Sequence, residues 1–232
     1  MSPRIVALSL AGVIAAAIGG TAPAADRAHP AVVELFQSQG CSSCPPANAN
    51  LMALADRPDL LPLSFGVTYW DQLGWKDTFA SPQYTARQWD YAHAFHHGEV
   101  FTPQVVVNGR ADGVGVRHGE IEALVARADR GAGGPQITAL GGKVTIGAAP
   151  TARPAQVLLV RYDPNIVQVP IQRGENGGKT LPHRNVVKEL VSLGPWSGQA
   201  RAYALPPTRP GLKTAILIQA GPGGPILAAA RI

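Results

Sequence analysis

Both cysteines of this 232-residue chain fall in one heptapeptide, GCSSCPP, as Cys41 and Cys44. Two thiols three positions apart can close and reopen a disulfide, hold a thiophilic metal, or act as an inert staple. A c-type haem attachment needs histidine directly after the second cysteine, and Pro45 stands there. A four-sulfur zinc site lacks two ligands. A Cu(I) site using both sulfurs and one of His93, His96 or His97 stays open. So does a purely structural bridge, although closing so short a loop removes little chain entropy. The leading expectation is a redox dithiol that needs no cofactor beyond its own sulfurs.

Other residues could serve such a pair. Thr102-Pro103 stands before the run QVVV, and a cis bond there would leave the Thr102 backbone free to pair with an extended peptide. Glu34 is an acid inside the apolar run AVVELF. Buried beneath the dithiol, it could take the proton of Cys44; it could equally face outward or pair with an arginine. Trp70, Asp71, Trp75 and Lys76 could wall a substrate groove, or the indoles could simply cover a small core. RGENGGKTLPHRN gathers charge, glycines and His183 in one loop that could reach the cysteine face, bind a polyanion, or stay solvated.

The elements that must position these groups follow from hydrophobic period. AVVELF reads as a buried strand leading into the cysteine loop. Ala47, Leu51, Leu54 and Ala55 fall on one helical face, with Pro45 and Pro46 suited to the first turn. Cys41 at a strand–helix junction would then have its thiolate stabilised by the helix start and attack first, with Cys44 resolving the mixed disulfide. Leu60–Val67 reads as a second strand, Ser81-Pro82 opens a helix to about His96, and TPQVVVNGRADGVGV reads as a hairpin turning at Asn108-Gly109. Ile121, Leu124, Val125 and Ala128 line a closing helix. The order predicts an α/β fold, a mixed sheet with helices on both faces.

Beyond the linker Gly131–Pro135 the pattern becomes short strands separated by Gly- and Pro-rich turns: QITAL, KVTIG, QVLLVRY, IVQVPIQ, NVVKELVSL, ARAYAL, TAILIQA and PILAAARI. A β-sandwich of seven or eight strands is predicted for residues 135–232, after an α/β domain over 25–134. The two parts differ in charge. Residues 25–134 hold 8 Lys+Arg against 12 Asp+Glu, whereas 135–232 hold 11 against 3. Opposite signs permit docking of the halves, or attraction of the basic half to an anionic envelope surface. No nucleic-acid motif is present.

Residues 1–24 read as a secretory signal: Arg4, an apolar run from Ile5 to Ile18, and the exit Ala22-Pro23-Ala24. A periplasmic or secreted product, in a compartment where disulfides persist, is therefore expected.

The element order, the CxxC at a strand–helix junction and the later Thr-Pro resemble the thioredoxin superfamily. VVELFQSQGCSSCPPAN, YWDQLGWKDTFASPQYTARQ, FTPQVVVNG and QRGENGGKTLPHRNVVKEL are similar to a secreted bacterial thioredoxin-like family, domain-of-unknown-function family 1223. The resemblance implies a thioredoxin-like fold with a β-rich extension. It matches Cys41 to the attacking position, Cys44 to the resolving one and Pro103 to the cis-proline. By analogy it implies thiol–disulfide exchange with protein clients and an external redox partner. Ser42-Ser43 depart from the Gly-Pro or Pro-His pairs of well-known relatives, which leaves the direction of transfer open.

Overall fold

The computed structural model describes residues 24–117 and 119–232. The expected signal sequence lies, except for Ala24, outside them. The first half follows the predicted order: β1 (Ala31–Gln37), α1 (Cys44–Ala53), β2 (Leu60–Gly66), α2 (Pro82–Ala94), β3 (Gln104–Val107), β4 (Ala111–Gly113) and α3 (Glu120–Arg127). β1 runs parallel to β2 and antiparallel to β3. Every residue of β1, β2 and β3 is buried, as expected of strands covered on both faces.

Alternation along β1 separates two cores. Val33 and Leu35 pack with Ala47 and Leu51 of α1 and Ile121 and Leu124 of α3. Val32 and Phe36 point the other way, to Tyr84 and Tyr91 of α2. Each of these large apolar side chains stabilises the fold by about 1.5–3 kcal/mol. Ser81 caps α2 by accepting from the Gln83 N–H, and Pro82 fills the first turn. The hairpin turns through Asn108 and Gly109, both at positive φ, with Arg110 as a third connecting residue beyond the two-residue turn predicted. Asn108 also ties the fold together: its Oδ1 accepts from Val32 N and its Nδ2 donates to the Ala128 carbonyl.

The second half is strand-rich as expected, and all eight predicted runs are strands: β5 (Ile137–Leu140), β6 (Lys143–Ile146), β7 (Ala155–Asp163), β8 (Val167–Pro170), β10 (Val186–Trp196), β11 (Arg201–Ala204), β12 (Lys213–Gln219) and β13 (Ile226–Arg231). A ninth, β9 (Thr180–His183), was not predicted, because TLPH carries a proline and no alternation. The sandwich differs from expectation in where its leaves come from. Four of these strands join the first half in one eight-stranded sheet, ordered β13-β12-β7-β10-β2-β1-β3-β4. The seam is β10 beside β2, where Ser64 N donates to the Asn185 carbonyl and Asn185 Nδ2 to the Pro62 carbonyl. A strand edge left open at β2 is paired instead of exposed. The small sheet β11-β6-β5 then packs on this extended sheet, with Val144, Ile146 and Tyr203 against Val157, Leu159, Ile216 and Trp196. β8 and β9 form a separate ribbon.

Part of the basic charge of the second half meets the first. Arg184 pairs with Asp56 at 2.6 Å, and Arg231 donates to the Pro58 carbonyl.

Candidate active site

The cysteine loop is a short bridge from the end of β1 to the start of α1. Cys41 N donates to the Ser38 carbonyl and Cys44 N to the Cys41 carbonyl. The two cysteines are joined in a disulfide, with their Cα atoms 5.4 Å apart. The donors expected to solvate a Cys41 thiolate are fewer than the helix position suggests. The Cys44 N–H is taken by the Cys41 carbonyl, and Pro45 and Pro46 have none. What meets the Cys41 sulfur is the Ser43 hydroxyl, 3.2 Å away. An O–H donating to a thiolate is a charge-assisted bond, stronger than a neutral one.

Thr102, Pro103 and Trp70 are brought to this loop. The Thr102-Pro103 bond is cis. The Ser43 hydroxyl lies 3.4 Å from the Thr102 carbonyl, a second acceptor competing for the one proton it can offer to the Cys41 sulfur, and Trp70 Nε1 donates to Thr102 Oγ1 at 2.8 Å. Trp75 and Asp71 serve the loop less directly. Trp75 Nε1 donates to Gln39 Oε1, and Asp71 accepts from the Asp77 N–H. Asp77 in turn accepts from the Gln39 and Phe79 N–H groups, with its carboxyl pKa raised by burial. Lys76 stays exposed.

Two expectations are corrected. An attacking Cys41 should be accessible, yet Cys41 is 0 % exposed and Cys44 1 %. The loop between β8 and β9, the segment whose reach had been left open, bonds to the backbone of the cysteine loop. Buried Asn176 donates from Nδ2 to the carbonyls of Gln39 (3.0 Å) and Cys41 (2.9 Å). Glu175 accepts from the Ser42 N–H at 3.0 Å, and the Ser42 hydroxyl, with that N–H adding to it, holds its carboxyl below the usual range. This clamp spans more than 130 residues of sequence, which is why loop composition alone could not assign it.

Glu34 is the second correction. It lies on the face of β1 toward α2, whereas α1 covers the opposite face. Arg87 grips both its oxygens, at 2.7 and 3.1 Å, and Tyr91 adds a short hydrogen bond. Gln219 accepts from Arg87 and donates to Tyr91, so the cluster also fastens β12 to α2. Burial disfavours the guanidinium charge, but Glu34 beside it more than offsets that, leaving the Arg87 pKa above its ordinary value. Of the three readings of Glu34, the structure places it with an arginine, and a carboxylate with both oxygens engaged on the far face is badly placed to take a proton from Cys44.

On the α1 face the polar groups beside the dithiol are His183, whose loop had been read as one that could reach the cysteine face, and Gln37 and Asn48, which the sequence reading missed. A cavity of about 360 Å³ borders Cys44, walled by Pro45, Ala49, Met52, Leu181 and Pro182, with Gln37, Asn48 and His183 among its polar lining. Gln37 Nε2 donates to Asn48 Oδ1 (3.0 Å) and Ser64 Oγ (2.7 Å) and lies 3.3 Å from His183 Nδ1. Asn48 Nδ2 donates to the Pro182 carbonyl. Burial, with Lys188 adding to it, lowers the His183 pKa to about 4, so the ring is neutral at pH 7. The two Gln37 amide protons go to Asn48 and Ser64, but an NH2 group facing Nδ1 disfavours a proton there and so favours the ring protonated on Nε2, which has no partner among the described residues. A signal existed in Gln37 and Asn48, polar residues at strand and helix positions otherwise apolar, but His183 belongs to the unpredicted β9.

His93, His96 and His97 are elsewhere, at the far end of α2. His97 bonds Asp112 at 2.8 Å, and the His93 ring lies 5.7 Å from that of Trp89. Among the described residues no cluster of three His, Cys, Asp or Glu side chains forms a metal site, and no described helix is long and apolar enough to cross a membrane.

Residues 32–219 match the model of a family described as protein of unknown function, DUF1223. The crystal structure of protein AGR_C_4864 from Agrobacterium tumefaciens is similar at 30% identity and a TM-score of 0.73, over 90% of this chain and 94% of that one. HBP35 of Porphyromonas gingivalis is similar in fold at 12% identity and a TM-score of 0.56, over 88% of this chain and 74% of that one. No curated protein matches.

Proposed function

From its membership of the DUF1223 family, whose description assigns no activity, we propose that the chain is a thiol–disulfide oxidoreductase working through Cys41 and Cys44 on a thioredoxin-like β1-α1-β2-α2-β3-β4-α3 unit. The observation that carries this is the Cys41–Cys44 disulfide at the strand–helix junction, with the Ser43 hydroxyl on the Cys41 sulfur. Support for the fold reading comes from the element order and from Thr102 lying beside the cysteine loop.

In the reduced protein the Cys41 thiolate, stabilised by Ser43, attacks a client disulfide; Cys44 then attacks Cys41 of the mixed disulfide and releases the reduced client. Protein clients approach from the Thr102 side, and the Glu175–Asn176 clamp must loosen for them to reach Cys41. With no further cysteine in the chain, an external partner resets the pair. The expected signal sequence puts this chemistry in the periplasm or outside the cell, and the basic second half offers attraction to an anionic envelope surface. The test is turnover in an insulin-reduction assay. Wild type accelerates precipitation and Cys41→Ser does not; equal behaviour of the two would refute the proposal.

A further inference from the structure

The acidity of a reduced Cys41 depends on which N–H groups can turn toward its sulfur, and the cysteine loop leaves few of them free. The Gln39 N–H goes to the Asp77 carboxylate and the Gly40 N–H to the Ser38 hydroxyl. Those of Cys41 and Cys44 go to the carbonyls of Ser38 and Cys41, and Pro45 and Pro46 have none. The Ser42 N–H, on the residue next to Cys41, goes to Glu175 at 3.0 Å. Ser42 N is four bonds from the Cys41 sulfur, so the carboxylate oxygen bonded to it lies within about 8 Å of that sulfur. Glu175 is exposed and its carboxyl is held below the usual range, so it is charged at neutral pH. Lys179, a cation of the same loop, sits beyond Asn176: it donates to Asn176 Oδ1 at 3.0 Å, while Nδ2 faces the cysteine loop.

We infer that Glu175 is a positioning residue that disfavours the Cys41 thiolate, by its charge and by occupying the adjacent amide, and so poises the pair to give electrons away. The inference rests on the oxidoreductase reading and supplies the direction that Ser42-Ser43 left open. A pair whose reduced form is stabilised is an oxidant; one whose thiolate is disfavoured holds its disulfide more firmly and is a reductant. In that direction Cys41 of the reduced protein attacks a client disulfide, and Cys44 then attacks Cys41 and displaces the client sulfur. The Cys41–Cys44 bond forms as the client S–S bond is lost. Two electrons pass to the client, and the two protons of the dithiol end on the two client thiols. An external dithiol, itself oxidised to a disulfide, restores the reduced pair. Two like charges about 8 Å apart in water shift an equilibrium about twofold to threefold, and more where protein displaces water. The Debye length at physiological salt is also about 8 Å, so screening is only partial.

The test titrates the reduced full chain by the ultraviolet absorbance of the thiolate, which needs no reagent to reach a buried sulfur. Repeating it in Cys44→Ser assigns the signal to Cys41. Glu175→Gln keeps an acceptor for the Ser42 N–H and removes the charge. It should make Cys41 about threefold more acidic, and the difference should at least halve in salt of about 1 M, where the Debye length is about 3 Å. Glu175→Ala also frees the amide and should reach about tenfold. Equilibrated with glutathione above the Cys41 pKa, the threefold change raises the potential of Glu175→Gln by about 14 mV. Equal acidity in wild type and both variants, or a difference indifferent to salt, would overturn the inference. The direction is read in wild type alone, by mixing the reduced protein with an oxidised protein disulfide isomerase, which should end reduced. Electron flow the other way would overturn the inference and leave the oxidoreductase reading intact. No exchange with either glutathione or the isomerase would overturn that reading itself.

Discussion

Asn176→Ala isolates the clamp over the cysteine loop. The asparagine donates two buried hydrogen bonds, to the carbonyls of Gln39 and Cys41. Alanine removes both donors and leaves two backbone acceptors to find water. At about 1 kcal/mol net for each bond, the closed loop loses about 2 kcal/mol against an open one. That is roughly a 30-fold gain in the open population at room temperature. If opening precedes attack, reduction of the disulfide by a single-cysteine decapeptide should accelerate by the same factor. The assay is the second-order rate constant, read by quenching and alkylation at several peptide concentrations. Glu175→Ala should gain less, because that carboxylate is solvent-exposed and its bond competes with water. A decapeptide rate within threefold of wild type, in a variant that remains folded, would refute the reasoning.

Three further outcomes are expected. Glu34→Gln leaves Arg87 buried without its counter-charge; unfolding free energy should fall by about 3 kcal/mol in urea denaturation, with exchange rates within twofold of wild type, and a tenfold loss of exchange at intact stability would return Glu34 to the chemistry. His183 has a folded pKa of about 4 against 6.5 when unfolded, so the unfolded chain binds the extra proton between those values. Its contribution is whole above pH 6.5 and is lost as pH falls toward 4, by up to about 1.4 kcal/mol per unit; His183→Gln should flatten that part of the stability–pH curve, and an unchanged slope would contradict a buried neutral ring. Ser43→Ala removes the hydroxyl beside the Cys41 sulfur; the Cys41 pKa of the reduced protein, from the pH dependence of alkylation, should rise by about 1 unit, and no rise would show that the hydroxyl does not serve the thiolate.

What the sequence made legible was whatever period and local chemistry encode. Strand β1, the α1 face of Ala47 and Leu51, the Ser81-Pro82 helix start and the Asn108-Gly109 turn each declare themselves within a few residues. The cysteine loop with Thr102, Pro103 and Trp70 could be proposed because the order of elements and a family resemblance place them together. Glu34 shows the limit. An acid in an apolar strand announces burial, but which face it occupies depends on how the neighbouring helices pack, and its partners Arg87 and Tyr91 lie more than 50 residues away. For the loop holding Glu175, Asn176 and His183 the sequence offered contact with the cysteine face as one of three readings and could not choose, since the loop is positioned by the pairing of β8 with β9, and TLPH carries a proline and no alternation. The single sheet across both halves was hidden for the same reason: β10 and β2 pair edge to edge, and strand edges leave no mark in side-chain alternation.

The reduction potential of the Cys41–Cys44 pair, equilibrated against glutathione, tests the central proposal most directly. An exchanging dithiol should titrate reversibly between about −120 and −270 mV, the span of dedicated thiol–disulfide proteins. A potential below about −300 mV, where structural disulfides lie, would mean that the two sulfurs are a staple and the proposed chemistry is wrong.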